Sequence, residues 1–313
     1  SFHEAVKANK KALSIRPNFA QSHNNLGAAL YELGDLKGAN RAYLKALSLQ
    51  HNYFETLENY SLLMCQLRDY EPDNFIQLGA KVSVENTDYP KYEIIQAIDS
   101  FIQYDFAQTQ ERISRFNRLD PKVLESLTEN DKIFCLAYKT FLEKLVEVFP
   151  SELLKLRNFT NKNFIYHIGD SHCLSFAHYN VKVKGVTKRI LPRITFGAKA
   201  FHFSKTKNNR YKAVTRANFK AIPDNSDVFL SFGEIDCRPN EGFITAAKKV
   251  NKSMELLISE TSLRYVKWFA GQNKHKNHNL FFLNIPAPVY NKNYDEETNS
   301  RDAVSITLFN SFL

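Results

Sequence analysis

A short apolar run that stops at four small or polar residues is the feature that most restricts the fold of this 313-residue chain. Residues 163–168 have the length and composition of a buried strand, and Gly169-Asp170-Ser171-His172 follows directly. The glycine and aspartate predict a tight turn that exposes the Ser171 hydroxyl at the carboxyl end of the strand. Because open α/β sheets bind ligands at that end, the segment predicts an α/β domain and the place of its site.

Two further apolar runs have the same character. Residues 227–232 run into Gly233, and residues 280–285 run into Pro286-Ala287-Pro288. Apolar runs of this length, bounded by turn-forming residues, are typical of buried strands. Each of them ends in polar or helix-breaking residues where a site would lie.

The order of these blocks resembles that of the SGNH/GDSL hydrolase family. It has a strand followed by Gly-Asp-Ser, a lone glycine, a strand followed by Gly-x-x-Asp, and a strand followed by Pro-x-Pro. The pairing of Gly-Asp-Ser-His with the segment 232–238 narrows the resemblance to a bacterial subgroup of SGNH-like domains. The resemblance covers about half of the chain, from about residue 160 to residue 313. It implies a doubly wound parallel sheet of the flavodoxin-like, SGNH type.

The resemblance also implies roles for single residues. Ser171 is the nucleophile, and its backbone N–H contributes to the oxyanion hole, with Gly197 as the second donor. Gly233 and Asp236 match the third block, in which the family has an asparagine side chain as a further donor. This chain has Ile235 there, and a hydrocarbon cannot donate a hydrogen bond. Because loss of one such donor lowers the rate by about 10²–10³-fold, we expect another group to substitute or the activity to be weak.

Several polar residues near these blocks are candidates for supporting roles: Asp170, His172, Glu234, Arg238 and His202. The family's base comes from an Asp-x-x-His block that this sequence lacks. We therefore expect the chain to be a truncated fragment with little activity, because a serine without a base is a poor nucleophile. Three histidines are either substitutes for that base or polar surface and capping residues, namely His172, His178 and His202.

The charged residues after the second strand have alternative interpretations. Arg238 pairs with Glu234 or Asp236, or it binds an anionic group of the substrate, since a guanidinium forms a planar fork for carboxylate or phosphate. Asp236 is also a candidate to fix the turn that carries Ser171.

The N-terminal third carries a helical repeat. Residues 18–52 have the length of one tetratricopeptide (TPR) unit. Its motif residues, in chain order, are Leu26, Gly27, Gly34, Asp35, Ala39, Tyr43 and Ala46. Small residues let two antiparallel helices approach, and the tyrosine fills the space between repeats. Half a repeat precedes this unit, and residues 54–68 indicate the first helix of another.

These patterns predict an α + α/β organisation in three parts. TPR repeats occupy residues 1–69, and an SGNH-like domain that is incomplete at its C-terminus occupies residues 161–313. Between them, residues 70–160 have helical spacing interrupted by prolines, which indicates a helical bridge or degenerate repeats. The repeats either bind a protein or peptide partner or act as a spacer.

Charge is concentrated beside the candidate site. The net charge is +9, and between residues 171 and 223 the sequence has no Asp or Glu but has 12 Lys and Arg residues. Such a stretch either attracts an anionic glycan, a phosphorylated sugar carrier or a nucleotide-linked donor, or forms a solvated face. Nucleic acid is not a predicted partner, because the motifs of nucleic-acid-binding modules are missing.

The remaining patterns concern metals, cofactors and membrane segments. The four cysteines form no Cys-x-x-Cys pair, and the sequence has neither metal-spaced histidines nor a glycine-rich phosphate loop, so we predict no metal and no cofactor. No apolar stretch reaches the about 18–20 residues of a membrane-spanning helix, so we predict no membrane span. We expect a cytoplasmic location.

The sequence therefore predicts an SGNH-like serine esterase or O-acyltransferase that acts on a carbohydrate or another acyl ester and docks a partner through its repeats. One alternative is a non-catalytic TPR scaffold or glycan-binding protein with a degenerate SGNH domain. A sugar transferase that uses a nucleotide-linked donor is another, and the absence of a donor-binding motif argues against it.

Overall fold

The computed structural model describes five segments of the chain. These are residues 1–67, 89–149, 163–238, 242–285 and 296–313, with side chains for all of them except 296–302. The chain divides into two compact units, Ser1–Asn158 and Phe159–Leu313. The predicted boundaries at 69/70 and 160/161 lie outside the described residues, as does the predicted Pro286-Ala287-Pro288 block.

The described part of the first unit is built from helices. They are α1 (Phe2–Ile15), α2 (Ala20–Leu33), α3 (Leu36–Leu49), α4 (Phe54–Gln66), α5 (Pro90–Ile102), α6 (Phe106–Asn117), α7 (Pro121–Glu125) and α8 (Glu129–Val148). Successive helices from α1 to α4 pack on each other, and α5 packs on α4, α6 and α8. The region predicted to be a bridge is therefore helical where it is described.

Helices α2 and α3 form the predicted repeat unit. A Cβ atom at Gly27 would lie 2.6 Å from two atoms of the Tyr43 ring, so glycine is what lets the ring pack against α2. Ala39, Tyr43 and Ala46 on α3 are almost fully buried. The predicted small, aromatic and small residues are therefore buried, and Tyr43 contacts α2 of its own unit.

The turn between these helices also follows the prediction. Gly34 ends α2 with φ 82°, a left-handed value that glycine adopts without strain. Asp35 then caps α3, because its Oδ1 accepts the Gly38 N–H at 2.8 Å. The next predicted helix, 54–68, is α4, and Arg68 lies outside the described residues.

The second unit combines one sheet with helices. Its described strands are β1 (Phe164–Gly169), β2 (Asn180–Val183), β3 (Val186–Ile194), β4 (Asp227–Ser231) and β5 (Asn279–Phe282). Its described helices are α9 (Ala200–Ser204), α10 (Arg210–Ala221), α11 (Glu234–Cys237), α12 (Phe243–Val250), α13 (Met254–Asn273) and α14 (Glu296–Phe312). The three apolar runs of the sequence form β1, β4 and β5, so the three predicted strands are confirmed.

The sheet is mixed, which corrects the predicted parallel sheet. Its order is β2-β3-β1-β4-β5, and β1 is parallel to β3 and β4, as β4 is to β5. Strand β2 runs antiparallel to β3. The two form a hairpin closed by Lys184 and Gly185, whose φ angles of 49° and 81° are the left-handed values that a two-residue hairpin turn requires.

The strand order determines where a site can form. The chain passes from β1 to β3 on one side and then to β4 on the other side of β1. The carboxyl ends of β1 and β4 therefore flank a topological switch point, the place where open α/β sheets bind their ligands. In the register of these strands, Gly169 at the end of β1 is paired with Ile194 and with Ser231.

Aromatic side chains dominate the core of this unit. Its largest fully buried side chains include Phe203, Phe219, Phe232, Tyr265 and Phe269. Their rings contact each other mostly at tilted or edge-on angles, an arrangement that aromatic pairs favour. The frequent Phe residues of the sequence thus hold the helices on the sheet.

The longest described helices are α8 and α13, with 20 residues each. Neither these nor any other helix in the described segments is both long and apolar enough to cross a membrane.

Candidate active site

The predicted nucleophile and the two predicted glycines lie at one edge of the sheet. Ser171 follows Gly169 by two residues, Gly233 follows Ser231 by two, and Gly197 follows Ile194 by three. Because Gly169 is paired with both Ile194 and Ser231, the three loops start side by side. The Thr195 N–H also donates to the Gly169 carbonyl at 2.8 Å, which holds two of these loops together.

Ser171 is the first residue of a 3₁₀ turn, Ser171–Leu174, directly after β1. Asp170 caps this turn, because its Oδ1 accepts the His172 N–H at 2.9 Å. The turn is therefore fixed by Asp170 and not by Asp236. Within the described part of the chain, the Ser171 hydroxyl makes no hydrogen bond and no histidine contacts it. It is partly exposed and available to a ligand.

Glycine is required two residues before Ser171. A Cβ atom at Gly169 would overlap Ser231 Oγ and would lie 3.1 Å from the Cβ of Cys173. The neighbouring strand end and the 3₁₀ turn can approach β1 this closely only because Gly169 has no side chain.

Backbone N–H groups at this edge are free to hold an oxyanion. Gly197 is exposed, with φ 66°, and a Cβ atom there would meet open space. Among the described residues, neither the Ser171 N–H nor the Gly197 N–H has an acceptor. Preorganised donors of this kind are what acyl transfer requires. Ile235, which stands where the resemblance implies a third donor, is buried with 8% of its surface exposed.

Four charged side chains form an ion-pair network beside Ser171. Asp170 Oδ1 lies 2.9 Å from His172 Nδ1, and Glu234 Oε2 lies 4.0 Å from the same nitrogen. Arg238 binds Glu234, with Nε 3.0 Å from Oε1 and Nη2 2.9 Å from Oε2. Of the two predicted pairings of Arg238, the one with Glu234 is confirmed. This pairing lies within the loop after β4, and the Glu234–His172 contact links that loop to the turn after β1.

The same network sets the protonation of His172. Its hydrogen bond to Asp170 raises the pKa of the imidazole, and the charges of Asp170 and Glu234 add to the effect. Partial burial and the charge of Arg238 oppose it. His172 therefore holds a proton to higher pH than an ordinary histidine does.

Three members of this network are also near enough to bind a metal ion. Among the described residues, ligand atoms of Asp170, His172 and Glu234 all lie within 4.8 Å of one another. Sequence spacing does not predict this group, because Asp170 and His172 follow β1 whereas Glu234 follows β4. In the structure, His172 is hydrogen-bonded to Asp170, and Glu234 is bound by Arg238. The three side chains are therefore engaged in the ion-pair network.

Asp236 serves a different neighbour from the one predicted. Its two carboxylate oxygens accept the N–H groups of Ala200 and Phe201, at 2.6 and 3.1 Å. The carboxylate thus caps α9, the helix that follows Gly197, and ties it to the loop after β4. Burial raises the pKa of Asp236 to about 7, although the two N–H donors oppose this rise.

His202 is a capping residue. Its Nδ1 accepts the Lys199 N–H at 2.9 Å, and its ring stacks on Tyr211 with 3.7 Å between the ring centres. Burial and the charges of Lys199, Arg210 and Lys205 lower its pKa to about 3. Of the two interpretations from sequence, the capping one is confirmed.

A serine–histidine hydrogen bond that the sequence did not suggest lies within the sheet. His167 Nε2 is 2.8 Å from Ser231 Oγ. The ring of His167 is fully buried, and burial lowers its pKa to about 4. Because no substrate reaches a fully buried ring, this pair belongs to the core. Both residues lie within strands, where sequence alone indicates only packing.

Comparison with known proteins bears on the first unit. The TPR repeat family model matches residues 1–34, which contain α1 and α2. The matched segment pairs α1 with α2, whereas the unit predicted at 18–52 pairs α2 with α3. Both divisions of the chain describe the same stack of successive helices. A search of curated proteins finds no match. The described part of the first unit is thus helical, and its N-terminal end is similar to TPR repeats.

Proposed function

We propose that the second unit is an SGNH-like domain in which Ser171 attacks an ester of a carbohydrate or of another alcohol, as an esterase or an O-acyltransferase. The main support for this proposal is the position of Ser171. The residue opens a capped turn at the carboxyl end of the central strand, at the switch point of the sheet, with its hydroxyl free for a ligand.

The proposed reaction has two steps. Ser171 Oγ adds to the ester carbonyl and gives its proton to a base, while the Ser171 and Gly197 N–H groups stabilise the oxyanion. The intermediate then expels the alcohol, which takes the proton, and leaves the acyl group on Ser171. Water or an acceptor hydroxyl attacks the acyl-serine in the second step, which releases an acid or a new ester and restores the serine.

The strand order supports the SGNH-type fold. The parallel strands lie in the order β3-β1-β4-β5, so the second parallel strand along the chain lies on one side of the first, and the third and fourth lie on the other side. This is the start of the flavodoxin-like order. The antiparallel β2 is added at the edge beside β3.

The first step of the reaction needs a base that accepts the proton of Ser171. The Asp-x-x-His base that the resemblance implies stays a prediction. His172 is the titratable group next to Ser171, and Asp170 orients it through Nδ1. Because no histidine of the described segments hydrogen-bonds Ser171, and Ile235 replaces a donor, we expect acylation to be slow.

Hydrolysis of p-nitrophenyl acetate tests the proposal. We expect a slow release of p-nitrophenol that Ser171→Ala abolishes. Ser175→Ala is the matched control, since Ser175 ends the same turn and is also partly exposed, and its rate should equal that of the unchanged chain. Equal rates for Ser171→Ala and the unchanged chain, or no release by either, would contradict the proposal.

A non-catalytic scaffold is the second candidate, and two observations favour it. No histidine of the described residues hydrogen-bonds Ser171, and the first unit has the repeat match. TPR repeats commonly bind proteins or peptides, and we propose that this unit docks such a partner. A cleft of about 670 Å³ lies where α2 and α4 begin, and its lining includes Arg16, Phe19 and Tyr53. A partner bound equally well by Ser171→Ala, without any esterase activity, would favour the scaffold.

A further inference from the structure

Five side chains of the α9–α10 region form a continuous series of rings and cations, which we call the cation–aromatic cluster: Lys205, Phe201, His202, Tyr211 and Arg210. Lys205 Nζ lies 4.0 Å from the centre of the Phe201 ring, and the ring centres of Phe201 and His202 are 6.5 Å apart. His202 stacks on Tyr211, and the Arg210 guanidinium carbon lies 4.6 Å from the Tyr211 ring centre.

The positive charge of this region includes two exposed lysine side chains. Lys205 and Lys207 are exposed, and neither forms an ion pair with a described residue. The carboxylate of Asp236, which lies at the start of α9, accepts two N–H groups of that helix. Nearby cations help to keep the His202 ring neutral, which agrees with a positive potential at this place.

The cluster lies beside the candidate active site. Helix α9 begins three residues after Gly197, the proposed oxyanion donor. Asp236 ties the start of α9 to α11, and Glu234 on α11 lies 4.0 Å from His172, the neighbour of Ser171. A ligand held by the cluster would therefore extend along the edge of the sheet that carries Ser171.

We propose that the cation–aromatic cluster, together with Lys207, binds an anionic carbohydrate through its carboxylate or phosphate groups and presents it to the Ser171 edge. The proposal rests on the proposed function and names its substrate class. Lysine ammonium groups on an exposed loop suit charged groups that are spaced along a sugar chain.

The geometry favours a carbohydrate over single-stranded nucleic acid. Proteins bind single strands by stacking bases on open aromatic faces. In the cluster, Lys205 covers one face of Phe201, and His202 covers one face of Tyr211, while Arg210 lies over Tyr211 as well. Lys205 and Lys207 are exposed, whereas the three rings are only partly exposed and each has a face covered by a neighbour.

Calorimetric titration of the Ser171→Ala chain tests the proposal without any turnover. The probes are oligogalacturonate for carboxylate, a phosphorylated mannan oligosaccharide for phosphate, neutral dextran, and a single-stranded DNA oligomer, all at one salt concentration. We expect at least one anionic carbohydrate to bind and dextran not to bind. The double variant Lys205→Glu/Lys207→Glu should weaken that binding about tenfold or more, and Lys205→Ala/Lys207→Ala should weaken it less.

The matched control is Lys248→Glu/Lys249→Glu on α12, which changes the net charge equally at two exposed lysines. It should bind like the parent. Circular dichroism shows whether each variant is folded. Equal weakening by both double variants, tighter binding of DNA than of either carbohydrate, or no binding of an anionic carbohydrate would overturn the proposal. Because binding is measured without Ser171, this result is independent of the esterase test.

Discussion

Asp170 holds His172 at two points with a single oxygen. Its Oδ1 lies 2.9 Å from the His172 backbone nitrogen and 2.9 Å from the ring nitrogen Nδ1. The residue before the proposed nucleophile therefore fixes both the turn that carries the serine and the ring that follows it. The His172 Nε2 is left for proton exchange with solvent or substrate.

Replacing Asp170 should make His172 a weaker base. We expect Asp170→Asn to lower the His172 pKa, because it removes the largest contribution, the hydrogen bond to Nδ1, and Glu234→Gln to lower it less. Titration of the His172 ring by NMR measures both. Because folding raises this pKa, the stability it contributes is present below the pKa of an unfolded histidine and is lost as the pH rises through the folded value. A larger effect of Glu234→Gln would show that the network is not arranged as described.

Asp236→Asn should destabilise the second unit at neutral pH. An amide offers one oxygen where the carboxylate accepts two N–H groups, so either Ala200 or Phe201 keeps a buried donor without an acceptor, at a cost of about 1–3 kcal/mol. Urea unfolding measures the change. Asp224→Asn is the control, since Asp224 is exposed and pairs with Lys276 at the surface, and it should change stability little.

The pH dependence of stability provides a separate test of Asp236. Its pKa is raised from 3.8 to about 7 in the folded chain, so the folded state binds a proton that the unfolded state releases. Its contribution to stability should therefore be present at acid pH and be lost as the pH rises towards about 7. Asp236→Asn should remove this part of the profile. An unchanged profile in the variant would contradict the burial of the carboxyl group.

Gly27→Ala should destabilise the helical repeat. Alanine normally stabilises a helix relative to glycine by about 0.5–1 kcal/mol, but here its Cβ would lie 2.6 Å from the Tyr43 ring, and overpacking costs about 1–3 kcal/mol. Gly271→Ala on α13 is the opposite case, because a Cβ there meets nothing within 4 Å. Thermal unfolding should show a lower midpoint for Gly27→Ala and a slightly higher one for Gly271→Ala. If both variants shift the midpoint in the same direction, the close packing of Gly27 against Tyr43 is contradicted.

Gly233→Ala should be more damaging than Gly185→Ala. Both glycines have positive φ, 127° and 81°, so both substitutions introduce backbone strain of about 1–2 kcal/mol. Only at Gly233 would the new Cβ also lie 2.5 Å from the Phe309 ring and 3.1 Å from Ile285. Urea unfolding of the two variants should therefore differ by the packing cost, about 1–3 kcal/mol. Equal losses would mean that Phe309 can move aside.

Local patterns accounted for much of the fold. The strands β1, β4 and β5 are short apolar runs between turn residues, and the contact of Gly27 with Tyr43 follows from repeat spacing. The β2–β3 hairpin was missed, because its strands contain four lysine and arginine residues and its turn is Lys184-Gly185, without the asparagine or aspartate that signals such turns most clearly.

The site was less predictable, because its contacts depend on strand order. Glu234 reaches His172 only because β4 lies beside β1. Residue type also does not distinguish a catalytic group from a cap. Asp236 and His202 were candidates for the site, and in the structure their side chains accept backbone N–H groups around the start of α9. Such acceptor roles depend on which side chain lies beside the first turn of a helix in the folded chain.

The most direct test of the central claim is to locate a covalent adduct on the chain. Reaction with a fluorophosphonate, followed by proteolysis and mass spectrometry, identifies the modified residue. We expect the label on Ser171, its loss in Ser171→Ala, and its retention in Ser175→Ala. A label elsewhere, or the same labelling in Ser171→Ala, would contradict the assignment of Ser171 as the nucleophile.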